Sequence, residues 1–449
     1  MDAVVGERSP QHTVTRPSDL PVRDRGMVPA TTRSREPIGA RSIAPASVSF
    51  LSFHLPTYSP LSLGTIWGAA ARSVLSARES AVGLSALLRD EYEADRVVLT
   101  GSGAQALQLA IEGAGGERAD PRGGRPRVAL PAFTCFEVAS AAVGAGAEVV
   151  IYDVDPETLA PDPPSFRDAV GCGGVAAVVV SPLFGVPIEW SPLREIAEAA
   201  GVILIEDAAQ GDGARWGGRR LGSMGDLSVL SFGRGKGWSG IRGGALLLRD
   251  PFGRRDFELE RPPGVEDLSL AIAGVAQWGL GRPSLYRFPR SLPWLGLGET
   301  RWHDPTPPRS MARLGAALAV RSRAAAEAEV ERRRENAAFY LERLRSLDGV
   351  EIVRVPEGGT PGYLRLPVRL PRGISGFGVR PAPLGIEAAY PRPISELPQL
   401  QPHIVNTDRA WPGAVELSRR LVTLPTHSRL THHERLQVID LVRRYGSSS

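Results

Sequence analysis

Short apolar runs alternate with helix-forming stretches between residues 96 and 248, and this alternation constrains the fold more than any other feature. Residues 175–180 (VAAVVV) and 202–205 (VILI) are uninterrupted apolar runs, which is the pattern of strands buried on both faces of a sheet. Strands that alternate with helices pack as βαβ units with right-handed crossovers. The chain is therefore predicted to be of the α/β class, with a mostly parallel central sheet wrapped by helices.

Lys236 is the only lysine among the 53 lysine and arginine residues of the chain. Arginine is always charged, whereas the primary amine of lysine can lose its proton when it is desolvated and can condense with a carbonyl. A chain that uses arginine at every other basic position has kept lysine at this one. Lys236 is therefore predicted to perform chemistry that needs an amine.

A carboxylate and this amine follow two different predicted strands. Asp207 comes after the run 202–205, within the sequence EDAAQ, and Lys236 lies in a glycine-rich loop after a second predicted strand at 226–232. Polar groups at the carboxyl ends of such strands point into the crevice where α/β sheets bind ligands. Pyridoxal phosphate (PLP) needs this arrangement, because the amine condenses with its aldehyde and the carboxylate keeps its pyridine nitrogen protonated.

The sequence around these residues resembles a known family. The run EDAAQGDGARWGGRRLGSMGDLSVLSFGRGKGWSGIRGGALLL is similar to the core of the DegT/DnrJ/StrS family of PLP-dependent sugar aminotransferases, and its motifs stand in the family's order. The resemblance extends over roughly residues 50 to 446. It implies a fold-type-I PLP-dependent transferase with a smaller C-terminal α+β domain. It also implies a homodimer, because family sites are built at a dimer interface.

The resemblance assigns roles to four residues of the predicted centre. Lys236 carries the reactive amine, and Asp207 pairs with the pyridinium nitrogen of the cofactor. Gln210 faces the hydroxyl group of the cofactor ring, and Ser231 binds its phosphate. These residues are the predicted catalytic and cofactor-binding core.

Gly101, Ser102 and Gly103 form a tight turn before a predicted helix. Free backbone N–H groups and the positive end of the helix dipole favour a phosphate at such a turn, and the turn resembles the family's phosphate-binding turn. Where the family has an aromatic residue that stacks on the PLP ring, the aligned residue is Cys135. Two alternatives stay open: the sulfur packs on the ring, or the loop shifts and Phe136 stacks there.

Five further residues are candidates for substrate contacts. Phe184 lies in a loop that resembles a family loop near the substrate, and Arg234 and Arg242 flank Lys236, where a positive charge suits an anionic group. Tyr390 and His427 lie in C-terminal stretches that match the family's pattern. The alternative is that the two arginines are solvated and that Tyr390 and His427 are structural.

Composition and charge exclude several classes of protein. The net charge is only +4, and the arginines are interleaved with acidic residues, which argues against nucleic-acid binding. Two cysteines exclude a disulfide framework and fit a reducing compartment, and no apolar run reaches the length of a membrane span. We expect a cytoplasmic enzyme that needs no metal and makes no membrane contact.

Three regions are predicted along the chain. Residues 1–45 are rich in arginine, serine and proline and are expected to be disordered. Residues 46–308 form the large PLP-binding domain, with an N-terminal arm and a divergent stretch at 251–308. Residues 309–449 form a long connecting helix and the small C-terminal domain. Within the divergent stretch, residues 273–297 mix aromatics, arginine and proline; we favour a roof over the substrate or a contact with the partner subunit over the alternative, contact with a membrane surface.

The predicted reaction follows from the resemblance. An amino acid, glutamate or glutamine, donates its amino group, and a keto sugar, nucleotide-linked in most of the family, accepts it. Free Lys236 moves the proton between carbon atoms as general base and acid. Two alternatives stay open: another PLP-dependent reaction on the same fold, and a non-catalytic relative.

Overall fold

The computed structural model of the protein describes residues 53–75, 77–117, 125–290, 300–377 and 382–446. The predicted tail at residues 1–45 lies outside these ranges, as do residues 291–299 of the divergent stretch. No helix within the described ranges is long and apolar enough to cross a membrane.

Fourteen strands are found in the described residues. In chain order they are β1 (Arg96–Thr100), β2 (Arg127–Pro131), β3 (Glu148–Tyr152), β4 (Val175–Val180), β5 (Ile203–Asp207), β6 (Arg215–Trp216), β7 (Arg219–Arg220), β8 (Leu227–Ser231), β9 (Gly244–Leu248), β10 (Glu351–Ile352), β11 (Gly359–Thr360), β12 (Leu366–Arg369), β13 (Glu387–Ala388) and β14 (Leu421–Leu424).

Eleven α-helices accompany these strands in the same part of the chain. They are α1 (Leu63–Leu75), α2 (Ala77–Tyr92), α3 (Gly103–Glu117), α4 (Phe136–Gly144), α5 (Pro163–Val170), α6 (Ser191–Ala200), α7 (Glu266–Leu280), α8 (Pro283–Arg290), α9 (Arg313–Leu344), α10 (Pro412–Arg420) and α11 (His432–Gly446). The divergent stretch thus contributes two helices, α7 and α8, which the sequence did not indicate.

Seven strands form the main sheet, in the order β1-β9-β8-β5-β4-β2-β3. The five strands from β8 to β3 run parallel, and β9 is antiparallel to both of its neighbours. The antiparallel pairing of β8 with β9 needs only a short connection, and this connection is the loop of residues 232–243 that carries Lys236. The predicted α/β class with a mostly parallel sheet is confirmed.

Helices cover both faces of the sheet. One core cluster packs α3 and α4 against one face, and a second packs α2, α5 and α6 against the other. Along β5, Ile203 and Ile205 face α3 and α4, whereas Leu204 faces the second cluster. Since side chains alternate along a strand, the next two residues, Glu206 and Asp207, are directed to opposite faces.

The C-terminal part of the chain contains a second sheet, which is antiparallel and has the order β10-β12-β14-β13. The end of α9 and the helix α11 pack on it through Tyr340, Leu366 and Val438. This agrees with a smaller α+β region. The predicted domain boundary at residues 308 and 309 stays a prediction, because the described residues all belong to one compact unit.

Candidate active site

Asp207 ends β5 and lies within electrostatic reach of Lys236. Burial raises the pKa of the Asp207 carboxyl group, and the positive charge of Lys236 partly offsets this effect. Ser181 Oγ donates to Asp207 Oδ2 at 3.3 Å, and the backbone N–H of Ala209 donates to Oδ1 at 3.1 Å. The structure therefore brings together the two residues on which the predicted chemistry depends.

Glu206 precedes Asp207 but takes no part in this cluster. Its carboxylate is fully buried on the opposite face, where it accepts hydrogen bonds from the backbone N–H groups of Gly222 at 2.6 Å and Met224 at 2.7 Å, and from Ser228 Oγ at 3.1 Å. The expectation that the polar residues after the strand point into one crevice thus holds for Asp207 and is wrong for Glu206.

Gln210 connects two of the predicted substrate residues. Its Oε1 accepts from the backbone N–H of Phe184 at 2.9 Å, and its Nε2 donates to the Tyr390 hydroxyl at 2.6 Å. The Tyr390 ring lies between Phe133, edge-on at 5.3 Å, and Phe184, stacked at 6.2 Å. Burial raises the pKa of Tyr390 far above its ordinary value, and nearby Cys135 raises it further. Tyr390 and Phe184 therefore lie beside Asp207 and Cys135.

Cys135 and Phe136 have different surroundings, although they are adjacent at the start of α4. Burial raises the pKa of the Cys135 thiol, and the positive charge of Lys236 is the largest of the effects that lower it. Phe136 is 4% exposed and packs in the main core. Of the two candidates for packing on the cofactor ring, the geometry favours Cys135.

The turn Gly101-Ser102-Gly103 meets the end of β8 at Ser231. A Cβ atom added to Gly103 would lie 2.8 Å from Ser231 Cβ, so only glycine allows this close approach. Ser102 Oγ accepts from the backbone N–H of Gln105 at 3.2 Å and so caps α3. A helix N-terminus beside a hydroxyl group is a cradle that fits the phosphate of PLP.

Replacing Gly103 with alanine is expected to weaken PLP binding, because the added methyl group pushes the start of α3 away from Ser231. We expect the dissociation constant of PLP to rise by at least about tenfold, as for the loss of one or two charge-assisted hydrogen bonds. Titration of the cofactor-free protein followed by absorbance measures it. Gly264→Ala is the control, since an added Cβ there meets nothing within 4 Å; an equal effect of both variants would contradict the prediction.

Arg234 and Arg242 lie on the loop that carries Lys236, and both side chains are exposed. The structure thus places the two arginines at the surface around the buried cluster rather than within it.

His427 lies apart from the cluster and packs on the N-terminal segment. Its ring is 2% exposed and stacks on His54, with 5.9 Å between the ring centroids. The backbone oxygen of Leu55 lies 2.8 Å from His427 Nε2. Burial has the largest effect on the pKa of His427 and lowers it. The backbone oxygen of Leu55 and the charge of Glu434 raise this pKa, whereas His54 and Arg429 lower it. The structure therefore does not bring His427 to Lys236 and Asp207, because the segment around residues 54 and 55 covers it.

Acidification is expected to destabilise the protein through His427. Burial lowers the pKa of this ring from 6.5 to about 4, so the unfolded chain binds a proton in this range that the folded chain does not. The free energy of unfolding should therefore fall by up to about 3 kcal/mol as the pH drops from 6.5 to 4. His427→Gln keeps a donor for Leu55 and should remove this part of the pH dependence. Thermal melts across the range test it; identical slopes in both proteins would contradict it.

Several residues near Lys236 were not singled out from the sequence. A Cβ atom on Gly235 would lie 2.8 Å from Thr57 Oγ1, so the N-terminal segment touches the lysine loop. On the other side, a Cβ atom on Gly237 would lie 2.6 Å from Arg333 Nη1, and Arg333 is paired with Asp212 at 2.8 Å. Asp212 was visible beside EDAAQ, but nothing local indicated a partner on a distant helix.

The fold is that of the fold-type-I PLP-dependent transferases, and the residues gathered at the site fit this cofactor. The sequence model of the DegT/DnrJ/EryC1/StrS aminotransferase family matches residues 80–271 and 301–443. Because these ranges cover most of the sequence, the chain belongs to this family.

Individual relatives are similar over different parts of the chain. An L-glutamine:2-deoxy-scyllo-inosose aminotransferase of Streptomyces kanamyceticus is 33% identical over 175 residues, which are 39% of this chain and 39% of that protein. A dTDP-3-amino-3,4,6-trideoxy-alpha-D-glucose transaminase of Streptomyces venezuelae is 27% identical over 368 residues, 79% of this chain and 84% of that protein. The alignment with the first relative thus spans well under two thirds of that protein.

Among solved structures, S. venezuelae DesV has a TM-score of 0.65 and 25% identity, and the match covers 86% of this chain and 95% of that chain. Sugar aminotransferase CalS13 from Micromonospora echinospora has a TM-score of 0.63 and 20% identity, over 86% and 98% of the two chains. The likeness to CalS13 bears on the fold alone.

Proposed function

We propose that the protein transfers an amino group from an amino acid to a keto sugar, with PLP as its cofactor. The observation that carries the proposal is that Lys236, the only lysine, lies close enough to Asp207 at the end of β5 for its charge to act on that carboxyl group. Two relatives support both parts of the reaction, since one is an L-glutamine:2-deoxy-scyllo-inosose aminotransferase and the other is a transaminase of a dTDP-linked amino sugar.

Each residue of the cluster has a role in this proposal. When bound, PLP supplies an aldehyde and an electron-withdrawing ring that carry the amino group between the two substrates. Asp207 would hold the positive charge of the ring nitrogen, and the N-terminus of α3 together with Ser231 would hold the phosphate. Cys135 would pack on the ring, and the amide of Gln210 would face the ring hydroxyl.

Lys236 moves the proton in this proposal. The amine of Lys236 would take up a proton as general base and return it as general acid. The charge of Lys236 acts on the Asp207 carboxyl group, and exposed Arg234 and Arg242 are available to an anionic part of a substrate. Phe184 and Tyr390, whose rings stack at 6.2 Å, would supply an apolar wall of the site.

The donor half of the reaction is testable without knowing the acceptor. PLP-loaded protein mixed with L-glutamine or L-glutamate should release one equivalent of the corresponding keto acid, measured by mass spectrometry. Released keto acid with no acceptor present supports amino transfer. Loss of carbon dioxide, or elimination products without keto acid, would indicate another PLP-dependent reaction, and no product from any amino acid would indicate a non-catalytic relative.

We also propose that the protein is a cytoplasmic homodimer. The two cysteines are free thiols, as a reducing compartment favours. The neighbouring helices α1 and α7 expose large apolar side chains, Trp67 and Val74 on one and Leu268 and Ile272 on the other, and apolar surface of this kind is typical of subunit interfaces.

Light scattering should give twice the 48.0 kDa mass of the chain. Ile272→Asp should shift the protein toward the monomer, because it places a charge in the proposed interface, whereas Glu198→Gln on the far helix α6 should not. A monomeric wild-type protein at micromolar concentration would overturn the dimer.

A further inference from the structure

Arg365 immediately precedes β12 of the C-terminal sheet, and its side chain reaches the wall of the candidate active site. Leu366 and Val368 face the core that α9 and α11 cover. Because side chains alternate along a strand, Arg365 is directed to the opposite face. Its guanidinium carbon, Cζ, lies there 5.2 Å from the centroid of the Phe184 ring, within the distance of a cation–π contact. A residue of the C-terminal region thus adds a positive charge to a site that the main sheet builds.

Contacts with two residues fix the position of the Arg365 guanidinium group. Its Nη1 donates to Thr423 Oγ1 at 3.2 Å, and Thr423 is fully buried. On the other side is Phe184, which adopts a left-handed φ of 58°, a conformation that is uncommon for a residue other than glycine. The backbone N–H of Phe184 donates to Gln210 Oε1 at 2.9 Å. Since the ring beneath the cation is itself held in place, the cation is preorganised for a ligand.

Arg365 has no carboxylate partner in the part of the chain that the structure describes. Its Nε is buried and makes no hydrogen bond there. Arg369, at the other end of β12, differs in this respect, because it pairs with Glu351 at 2.6 Å and with Glu416 at 2.8 Å. Burying a charge without a partner is costly. The unpaired guanidinium group of Arg365 therefore indicates that an anion from outside the chain completes it.

The Tyr390 hydroxyl group connects Arg365 with the rest of the site. Burial is the largest effect on the pKa of Tyr390 and raises it, and nearby Cys135 and Asp207 raise it further, whereas the positive charge of Arg365 lowers it. The same hydroxyl accepts from Gln210 Nε2 at 2.6 Å. Arg365 thus lies within electrostatic reach of the group around which the proposed cofactor residues gather.

We propose that Arg365 binds the α-carboxylate group of the amino donor. The inference rests on the proposed aminotransferase function and names the residue by which the site recognises the donor. Because Nη1 is engaged with Thr423, a carboxylate meets the edge formed by Nε and Nη2, and such an edge binds the two carboxylate oxygens side by side. The carboxylate of the donor is thereby held on the Tyr390 side of the cluster that contains Asp207.

Two unreactive analogues of L-glutamine test this contact. Glutaramate lacks only the amino group and keeps the carboxylate, whereas glutaramide carries an uncharged amide in place of the carboxylate. In calorimetry on the PLP-loaded protein, the wild type should bind glutaramate at least about tenfold more tightly than glutaramide, since hydrogen bonds between charged groups are the stronger ones.

Two neutral variants should remove this preference. Arg365→Met keeps an apolar contact with the Phe184 ring, and Arg365→Gln keeps a donor for Thr423, so the preference remains measurable if either one is unstable. Arg372→Met is the control, since it removes an exposed arginine of the same region, and it should bind both analogues as the wild type does. The proposal is overturned if the wild type binds the two analogues equally, or if a neutral variant binds glutaramate as tightly as the wild type.

Keto-acid release from the donor supplies a second measurement. Arg365→Met should raise the L-glutamine or L-glutamate concentration for half-maximal release by at least about tenfold and should change the rate at saturation much less. An unchanged half-maximal concentration would also overturn the proposal. Failure of the wild type to release any keto acid would instead refute the aminotransferase function. The two failures are distinguishable, because the binding of glutaramate requires no amino transfer.

Discussion

Replacing Lys236 with arginine is expected to abolish amino transfer. Arginine keeps the positive charge beside Asp207, but it has no primary amine and does not lose its proton. Proton transfer by a positioned side chain contributes about 10²–10⁴-fold to a rate, and the covalent link to the cofactor is lost as well. Keto-acid release should therefore fall by at least this factor, while the protein remains folded because the charge is retained.

Borohydride reduction of the PLP-loaded protein, followed by peptide mass spectrometry, gives the structural counterpart of this result. The wild type should carry one cofactor adduct, on Lys236, and Lys236→Arg should carry none on any side chain. Because the chain has no second lysine, an adduct cannot migrate to a neighbouring side chain. Unchanged keto-acid release by Lys236→Arg would show that the amine is not the reacting group.

Replacing Arg333 with methionine is expected to cost about 3–5 kcal/mol of stability, the effect of breaking a buried ion pair. Arg333 is 1% exposed and its Nη2 lies 2.8 Å from Asp212 Oδ2, so the variant leaves the Asp212 carboxylate buried without this partner. Arg323 is 3.6 Å from the other oxygen and compensates only in part. The melting temperature of the cofactor-free protein is the measurement.

Two further variants identify the cause. Arg332→Met changes the neighbouring residue of the same helix, which is 65% exposed and pairs with exposed Glu335, so it should have little effect. Asp212→Asn combined with Arg333→Met removes both charges and should be less destabilised than Arg333→Met alone. If the double variant is the least stable of the three, the loss comes from packing rather than from an unpaired charge.

Apolar runs made the parallel part of the sheet predictable. The run 175–180 is a strand over its whole length because every one of its residues is buried. The two-residue strands β6, β7 and β11 were not predictable, since pieces this short have no periodicity. The antiparallel position of β9 between β8 and β1 is a matter of pairing between distant segments, which no local pattern encodes.

In the candidate site, the residues that stand within or next to family motifs could be predicted from the sequence. The residues that meet only through tertiary contacts could not. Asp207 was predicted from its place at the end of an apolar run, and Lys236 because it is the only lysine and lies in a loop after a predicted strand. The structure makes these two strands, β5 and β8, neighbours in the parallel sheet. Tyr390 and His427 looked alike in sequence, but Tyr390 reaches Gln210 whereas His427 is covered by the N-terminal segment. The pairing of Arg333 with Asp212 joins a helix to a distant loop, and no local pattern in the sequence indicated it.

The position of the only lysine in the loop between β8 and β9 gives the protein a single cutting point for a lysine-specific protease. Cleavage there divides the chain into two pieces of nearly equal length. The cut falls in the loop that joins β8 to β9, two paired strands of the main sheet. Thr57 on one side and Arg333 on the other pack against the glycines that flank Lys236, and a cofactor bonded to the lysine blocks recognition of its side chain. The rate of this one cut therefore reports how much of a preparation is loaded with cofactor, without any substrate.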